Sequence, residues 1–513
     1  MTDQSECRIS APAAALSAPA PSLPPSYDLT RQAGRGAIWS IGGGVALTLL
    51  RLGSSVFLAR MLTPRDFGVF GMALLVLEMI RQFGALGVGT GLIAKKDADQ
   101  LDLSTAFWTN LPVQCLLYGV AFAAAPWVAG FFRTSELTPI LRIVAVTFLF
   151  TAVSAVPETL LRKQLRFGVL TGIQVGSILL ESAVAVALAV CVRRDHWALV
   201  TAMLVGGVAL HGGFVVLARW RPSLQFDWGR FRYLFRFSAN GLGFSVVNYL
   251  HANVDYLLVS RLLGAAQLGL YEFAFRVPHL VYERLARPAG TVVFPVLCRI
   301  QADDARVAGG YVKAAKYIAL MVFPLLAGLA VLARPAIQVL WGPQWLAMVV
   351  PLQILCARAA VCSIMTPIGS VFLCKDRPDI PFKFSLAALA ITFAAVWLLG
   401  RMLGLLGVAL GMAVSVLPFF LLLWLAFRMT RTSVLLMARA LAPCGVATGV
   451  LAAATFAARR LAEAAGAGEP AVLGCGILAG AAAYLGTICL LPGQFREIRQ
   501  TAIVMGGRGL ATA

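Results

Sequence analysis

Apolar runs long enough to cross a bilayer recur along nearly the whole chain, and they leave little choice of fold. They lie near 37–59, 67–94, 106–132, 138–161, 168–192, 197–218, 237–260, 268–297, 311–333, 346–374, 380–400, 404–427, 434–457 and 470–491. Because a helix needs about 20 apolar residues to span the hydrocarbon, this amounts to about 14 transmembrane helices. Charged residues make up 13% of the chain, against about 25% in soluble domains, too few to coat a water-facing surface. Barrel strands alternate over about 10 residues, and these runs do not. The sequence therefore predicts an all-α polytopic membrane protein.

The net charge of +20 raises the question of nucleic acid, and its distribution answers it. With the N-terminus placed in the cytoplasm, the inside segments hold 26 of the Lys and Arg residues and the outside segments ten. That bias obeys the positive-inside rule and predicts both termini inside, with Lys163 and Lys375 inside and Arg193 and Arg459 outside. The basic balance is then orientation, and no nucleic-acid partner is expected. The ten cysteines form no C-x-x-C pair and mostly sit in apolar runs, so they read as small buried hydrophobes. No Walker-type G-x-x-x-x-G-K-[ST], H-E-x-x-H or other metal spacing occurs, and no cofactor is expected. The glycine run FGALGVGTGLIAKK lacks the Lys-Ser/Thr of a phosphate cradle and reads as close helix packing.

The chain is duplicated. Aligning Arg60 with Arg261, an offset of 201, holds register without a gap, so that Leu62 meets Leu263, Gly68 meets Gly269 and Phe70 meets Tyr271. Six spans separate the copies, and an even number preserves orientation, which predicts a parallel repeat about an axis along the membrane normal. The expected organisation is a disordered tail over 1–30, an N-lobe over 31–222 and a linker over 223–236. A C-lobe over 237–430 follows, and then two extra helices and a tail over 431–513. In the linker, Trp228, Phe231 and Phe235 can share one face and Arg232 and Arg236 another, which predicts an interfacial helix.

Seven arginines remain inside spans: Arg51, Arg81, Arg142, Arg276, Arg284, Arg287 and Arg358. Each costs about 2.5–3.5 kcal/mol at a helix centre and needs a cavity, a partner or an interface. At 100° per residue, Ser40, Gly44, Thr48, Arg51 and Ser55 form one stripe on the first span. Gly241, Ser245, Asn248 and Asp255 form another on the seventh, with His251 on its flank. The eighth carries Glu272, Arg276, His279, Glu283 and Arg287; the second Glu78, Arg81 and Gln82; the fifth Gln174, Ser177 and Glu181. Two of these are i,i+4 ion pairs that could be structural, and Arg142, Arg284 and Arg287 lie where they can snorkel. The expected substrate-binding arginines are Arg51, Arg81, Arg276 and Arg358. Glu78, Glu181, Asn248, His251, Asp255 and Glu272 are their expected partners or coupling groups.

The stretches VFLARMLTPRDFGVFGMALLV, STAFWTN, AVPETLLRKQLRF and FDWGRFRYLFRFSANGLGFSVVNYLHANVDYLLVSRLLGAAQLGLYEFAF carry a family resemblance. The chain resembles bacterial polysaccharide-repeat and lipopolysaccharide oligosaccharide flippases of the multidrug/oligosaccharidyl-lipid/polysaccharide exporter superfamily, over roughly residues 30–430. The resemblance implies a multidrug-exporter-like fold of two six-helix lobes around a central cavity worked by alternating access. It implies an undecaprenyl-pyrophosphate-linked oligosaccharide as substrate, the bacterial inner membrane as location, and a polysaccharide polymerase and chain-length regulator as partners beside membrane lipids. Proton or sodium coupling stays open. Guanidinium groups suit a pyrophosphate through bidentate, charge-assisted contacts. A multidrug cation antiporter would instead want carboxylates, and a membrane polymerase or ligase would want a large polar outside loop. A passive scramblase or a scaffold is not excluded by the sequence.

Overall fold

The computed structural model describes residues 26–84, 99–192, 194–377 and 379–490. The glycine-rich run after Gly84, Lys95, Lys96, Arg193 and both terminal tails (1–25 and 491–513) lie outside them. Among the described residues the secondary structure is helical throughout. The N-terminal half holds α1 (Ser26–Met61), α2 (Pro64–Gly84), α3 (Gln100–Phe132), α4 (Leu137–Val144), α5 (Thr147–Lys163), α6 (Phe167–Cys191) and α7 (His196–Ala218). The other half holds α8 (Trp228–Leu263), α9 (Ala265–Val281), a π-turn (Tyr282–Ala286), α10 (Arg287–Arg299), α11 (Asp304–Val331) and α12 (Ala333–Leu340). It continues with α13 (Val349–Met365), α14 (Ile368–Cys374), α15 (Asp379–Val414), α16 (Leu417–Met429), α17 (Leu435–Ala464) and α18 (Glu469–Leu490).

Local chemistry sets the boundaries. Asp99, Asp195, Asp227 and Asp303 each cap a helix, their carboxylates accepting from a backbone N–H two or three residues on. Gly264, at φ +82°, makes the one-residue turn between α8 and α9. Gly404, at φ +61°, folds α15 into two arms. These arms pack so closely that a Cβ on Gly407 would lie 1.8 Å from the Leu399 carbonyl oxygen.

Eleven helical stretches among the described residues are long and apolar enough to cross a membrane. One of them, Asp379–Met429, contains the Gly404 fold and so covers two of the expected spans. The two expected spans that fail the apolarity test are the seventh and eighth, which fall on α8 and on α9 with its continuation. Those are the helices with the densest polar stripes, and polarity in a bundle interior is what lowers their hydropathy.

Packing partners recur along the two halves: α3 lies on α5 as α11 lies on α13, and α1 on α6 as α8 on α15. One continuous core joins both halves and includes Phe67, Phe273, Trp345 and Met348. α17 and α18 pack on each other, and α17 packs on α11. Arg459 donates to the Val331 carbonyl at 3.0 Å and the Tyr484 hydroxyl to Leu320 at 2.6 Å. Of the linker expected over 223–236, Ser223–Asp227 is non-helical, and the helix that starts at Trp228 runs on unbroken to Leu263.

Candidate functional site

The halves approach most closely where α2 crosses α9. A Cβ on Gly68 would sit 1.7 Å from the Ala265 carbonyl oxygen, and one on Gly269 1.9 Å from that of Pro64. Both pairs obey the 201-residue offset (265 − 64 and 269 − 68), so one contact is made twice with the partners exchanged. Beside this crossing the N-terminal half is pinned to the end of α12 and to the 3-10 turn that follows it, Pro343–Met348. Arg60 donates from Nε to Leu340 O at 3.1 Å and from Nη2 to Val339 O. Gln344 Nε2 reaches Ala59 O at 2.7 Å and Leu62 O at 3.0 Å, and Trp345 Nε1 reaches Ala59 O at 2.8 Å. Beneath them Phe67 packs edge to face on both Phe273 and Trp345, and those two rings lie tilted with centroids 4.4 Å apart. The duplicate of Arg60, Arg261, crosses the opposite way and lies over the Phe131 ring.

Beyond this closure the inner helices turn charge toward accessible space. Arg81 pairs with Glu78 at 2.9 Å, and both side chains are 42% exposed. Arg276 faces Glu272 at 3.9 Å and is likewise 42% exposed. Glu272 lies against α2, where a Cβ on Gly71 would approach its carboxylate to 3.0 Å. Arg51 is exposed on α1, and Glu181 of α6 packs against Gly206 of α7, where a Cβ would lie 2.7 Å from the Glu181 side chain. Asn248 is exposed on α8. Arg284, in the π-turn, crosses between the halves and donates to Thr48 Oγ1 at 2.5 Å. π-turns recur at functional positions because the extra residue per turn re-aims side chains.

Arg358 opens onto a different space. It lines a cavity of about 420 Å³ together with His251 and His279, and all of the lining residues fall within 251–422. Asp255 is buried and accepts a 2.6 Å hydrogen bond from the Tyr271 hydroxyl. It was a candidate for holding an arginine, but its hydrogen-bond donor is the phenol across the α8–α9 turn.

At the far end of the bundle the linker is fastened to the start of α3. Arg230 bonds Asp99 and lies 2.8 Å from Asp102. Trp108 Nε1 donates to Ser223 O at 2.8 Å, and Ser104 and Ser223 share a 2.7 Å hydroxyl contact. The Arg230 hydrogen bond holds the Asp99 carboxyl down at about 2.

A family model described as "Polysaccharide biosynthesis protein" matches residues 57–350, more than half of the chain. The chain belongs to that family. It is 28% identical over 373 residues to the teichuronic acid biosynthesis protein TuaB of Bacillus subtilis (72% of this chain, 77% of that one). It is 26% identical over 382 residues to the lipopolysaccharide biosynthesis protein WzxC of Escherichia coli (73% and 77%). Among solved structures, the fold matches a lipid II flippase MurJ in an inward closed conformation at TM-score 0.70, covering 89% of this chain and 99% of that one at 15% identity. It also matches an inward-facing multidrug resistance MATE transporter at TM-score 0.56, covering 75% and 96% at 14% identity. The chain thus shares its fold with both of these proteins.

In this polysaccharide biosynthesis family member, the expected site residues divide into two groups. Arg81 with Glu78 and Arg276 with Glu272 stand on the two crossing helices, while Arg358 and His251 line the pocket of the C-terminal half. Sequence reading left Arg284 as a snorkelling residue and Arg60 as an outside cation. Both prove to bridge the halves. The one sequence hint of the clasp is the tryptophan-rich LWGPQW between apolar runs.

Proposed function

We propose that this protein is a flippase that moves an oligosaccharide repeat unit, carried on undecaprenyl pyrophosphate, from the cytoplasmic to the periplasmic leaflet of the inner membrane. It transports and catalyses no covalent step. The observation that carries the reading is the set of exposed guanidinium groups, Arg51, Arg81 and Arg276, on helices of both halves beside the Arg60 closure. A pyrophosphate cannot cross hydrocarbon unaided, and arginine forks in a low-dielectric cleft replace its hydration with charge-assisted hydrogen bonds. Glu78 and Glu272 neutralise these arginines while the cleft is empty and yield them to the headgroup. The names of the relatives, which refer to teichuronic acid and lipopolysaccharide biosynthesis, support a polysaccharide precursor as cargo.

With both termini cytoplasmic, the Arg60 closure lies on the periplasmic side, and the chain rests closed outward. Release then requires the Arg60, Gln344 and Trp345 bonds to break as the halves rock about the α2–α9 crossing. A multidrug cation antiporter has less support, since Glu78 and Glu272 each already face an arginine. Deleting the gene should trap lipid-linked repeat units on the cytoplasmic leaflet, measured by their protection from a periplasmic glycosidase. Repeat units that still reach the periplasm in the deletion strain would overturn the flippase reading.

A further inference from the structure

We propose that the pocket inside the C-terminal half is a second recognition site, separate from the pyrophosphate arginines, and that it takes an acidic sugar of the transported repeat unit. The inference rests on the flippase reading and adds to it the chemistry of the cargo.

The lining defines the ligand by its donors and acceptors. Its members that can donate a hydrogen bond to an anion include Arg358, His251, His279 and the phenol of Tyr282, and no carboxylate is among the lining residues. Arg358 is held in place by its Nε donating to Met412 O at 3.0 Å, with its guanidinium 5.9 Å from the Phe275 ring centre. Neither nearby acid forms an ion pair with Arg358: Asp255 accepts from Tyr271 through Oδ2 at 2.6 Å while its Oδ1 is buried with no hydrogen-bond partner, and Glu283 lies 2.7 Å from Arg287 and 3.8 Å from His279. Arg358 thus has no ion-pair partner among the described residues, and its two terminal nitrogens have no hydrogen bond there. An anionic group on a ligand supplies what they lack, in the bidentate geometry a guanidinium favours.

The hydroxyls in the pocket say what the rest of the ligand must be. Thr366, Ser385, Thr392 and Ser415 each donate their hydrogen to a carbonyl of their own helix, to Cys362, Pro381, Ala388 and Met412. What they present to the cavity is acceptor lone pairs. Acceptors repel a bare phosphate but match a ring covered in hydroxyl donors. Phe384 and Phe419 add flat apolar surface for the C–H face of such a ring. A cavity of about 420 Å³ is in the range of small-molecule sites, about 300–1,000 Å³. The combination selects a sugar carrying one carboxylate or phosphate.

The duplication shows that this pocket is not inherited scaffolding. α2 and α9 begin at Pro64 and Ala265, in register at 201. His279 and Tyr282 of the pocket therefore correspond to Glu78 and Arg81, since 279 − 201 = 78 and 282 − 201 = 81. The N-terminal half fills those places with an ion pair at 2.9 Å. The C-terminal half puts an imidazole and a phenol there, facing a cavity. At the same two positions one copy carries an exposed ion pair and the other an imidazole and a phenol beside the pocket.

The test is saturation-transfer NMR on the full chain in lipid nanodiscs, with methyl glucuronide, glucose 1-phosphate and methyl glucoside as probes. At least one of the two acidic sugars should bind at least tenfold more tightly than the neutral one, and the stronger of the two identifies the anionic group. Arg358→Met should remove that preference, while Arg276→Ala leaves it intact. His279→Gln, a milder change, should weaken acidic-sugar binding about threefold and guards against a misfolded Arg358 variant. Equal binding of neutral and acidic sugars, or a preference indifferent to both variants, would overturn the proposal. So would competition by inorganic pyrophosphate through Arg358, which would make the pocket the headgroup site. None of these results bears on the leaflet assay, so the flippase reading stands or falls separately.

Discussion

At the scale of single residues, the question is what an exposed arginine with a glutamate one turn away is for. If Arg276 serves only to neutralise Glu272, removing both charges leaves no unpaired group and transport should survive. If it binds the headgroup, the double variant Glu272→Ala/Arg276→Ala should insert normally and stay inactive, read as polymer export normalised to membrane protein level. Arg276→Lys should retain partial export, because the charge remains while the fork is lost. The Asp99–Arg230 bond makes a different prediction. A carboxyl held at about 2 in the folded chain, below its ordinary range near about 3.9, contributes stability that is complete above the ordinary value. That stability is lost as pH falls through the folded value. The linker clasp should therefore be indifferent to pH between 5 and 8. Asp99→Asn at pH 7 should increase tryptic cleavage after Arg219, which is exposed beside the linker, in limited proteolysis; an unchanged cleavage rate would mean the hydrogen bonds of Ser223 and Trp108 hold the linker alone.

At the scale of elements, the α2–α9 crossing has no room for a side chain. Gly68→Ala places a methyl inside the van der Waals radius of the Ala265 carbonyl, and overpacking of this kind costs about 1–3 kcal/mol or more. The reciprocal contact makes Gly269→Ala its equal. Both should lower the melting temperature of the purified protein, and the double variant should lower it by less than the sum, because the two sites share one contact and do not add independently. The Arg60 clasp is a set of separable bonds. Each neutral hydrogen bond is worth about 0.5–1.5 kcal/mol net, and one to a charged group about 1.5–3. Arg60→Ala with Gln344→Ala should therefore shift the halves toward the outward-open state. The measurement is labelling of a cysteine placed at Phe70 by an impermeant maleimide in intact cells. Labelling should rise several-fold over the same cysteine in the parent, and unchanged labelling would show that the aromatic packing of Phe67, Phe273 and Trp345 alone keeps the end closed.

At the scale of the whole molecule, orientation and symmetry are the quantities to check. A cysteine replacing Lys163 should be protected from impermeant reagent in intact cells and labelled after lysis; one replacing Arg459 should label in both. Labelling at 163 from outside would reverse the topology and with it the direction assigned to the clasp. The two halves should superpose by a rotation near 180° about the membrane normal, because the Gly68–Ala265 and Gly269–Pro64 contacts are the same contact with partners exchanged.

Much of this was legible in the sequence alone. The apolar runs determined that the chain is helical and crosses the membrane many times, because a backbone in lipid must satisfy its own hydrogen bonds. The offset between Arg60 and Arg261 revealed the duplication, and helical periodicity put Glu78 with Arg81 and Glu272 with Arg276 on common faces. These are local properties, set by hydropathy and by 3.6 residues per turn. What the sequence did not determine is which face meets which helix. Arg358 and Arg276 looked equivalent, two mid-span cations, yet one lines a pocket within the C-terminal half and the other stands on the crossing of the halves. Arg60 finds its carbonyls about 280 residues away, and Asp255 takes its proton donor from Tyr271 across the Gly264 turn. The linker is fastened to the start of α3 through Arg230, Ser223 and Trp108, contacts between residues more than a hundred positions apart. A buried polar group has no fixed partner until the helices are packed; the fold selects, among the donors and acceptors brought within about 3 Å, the ones that satisfy it.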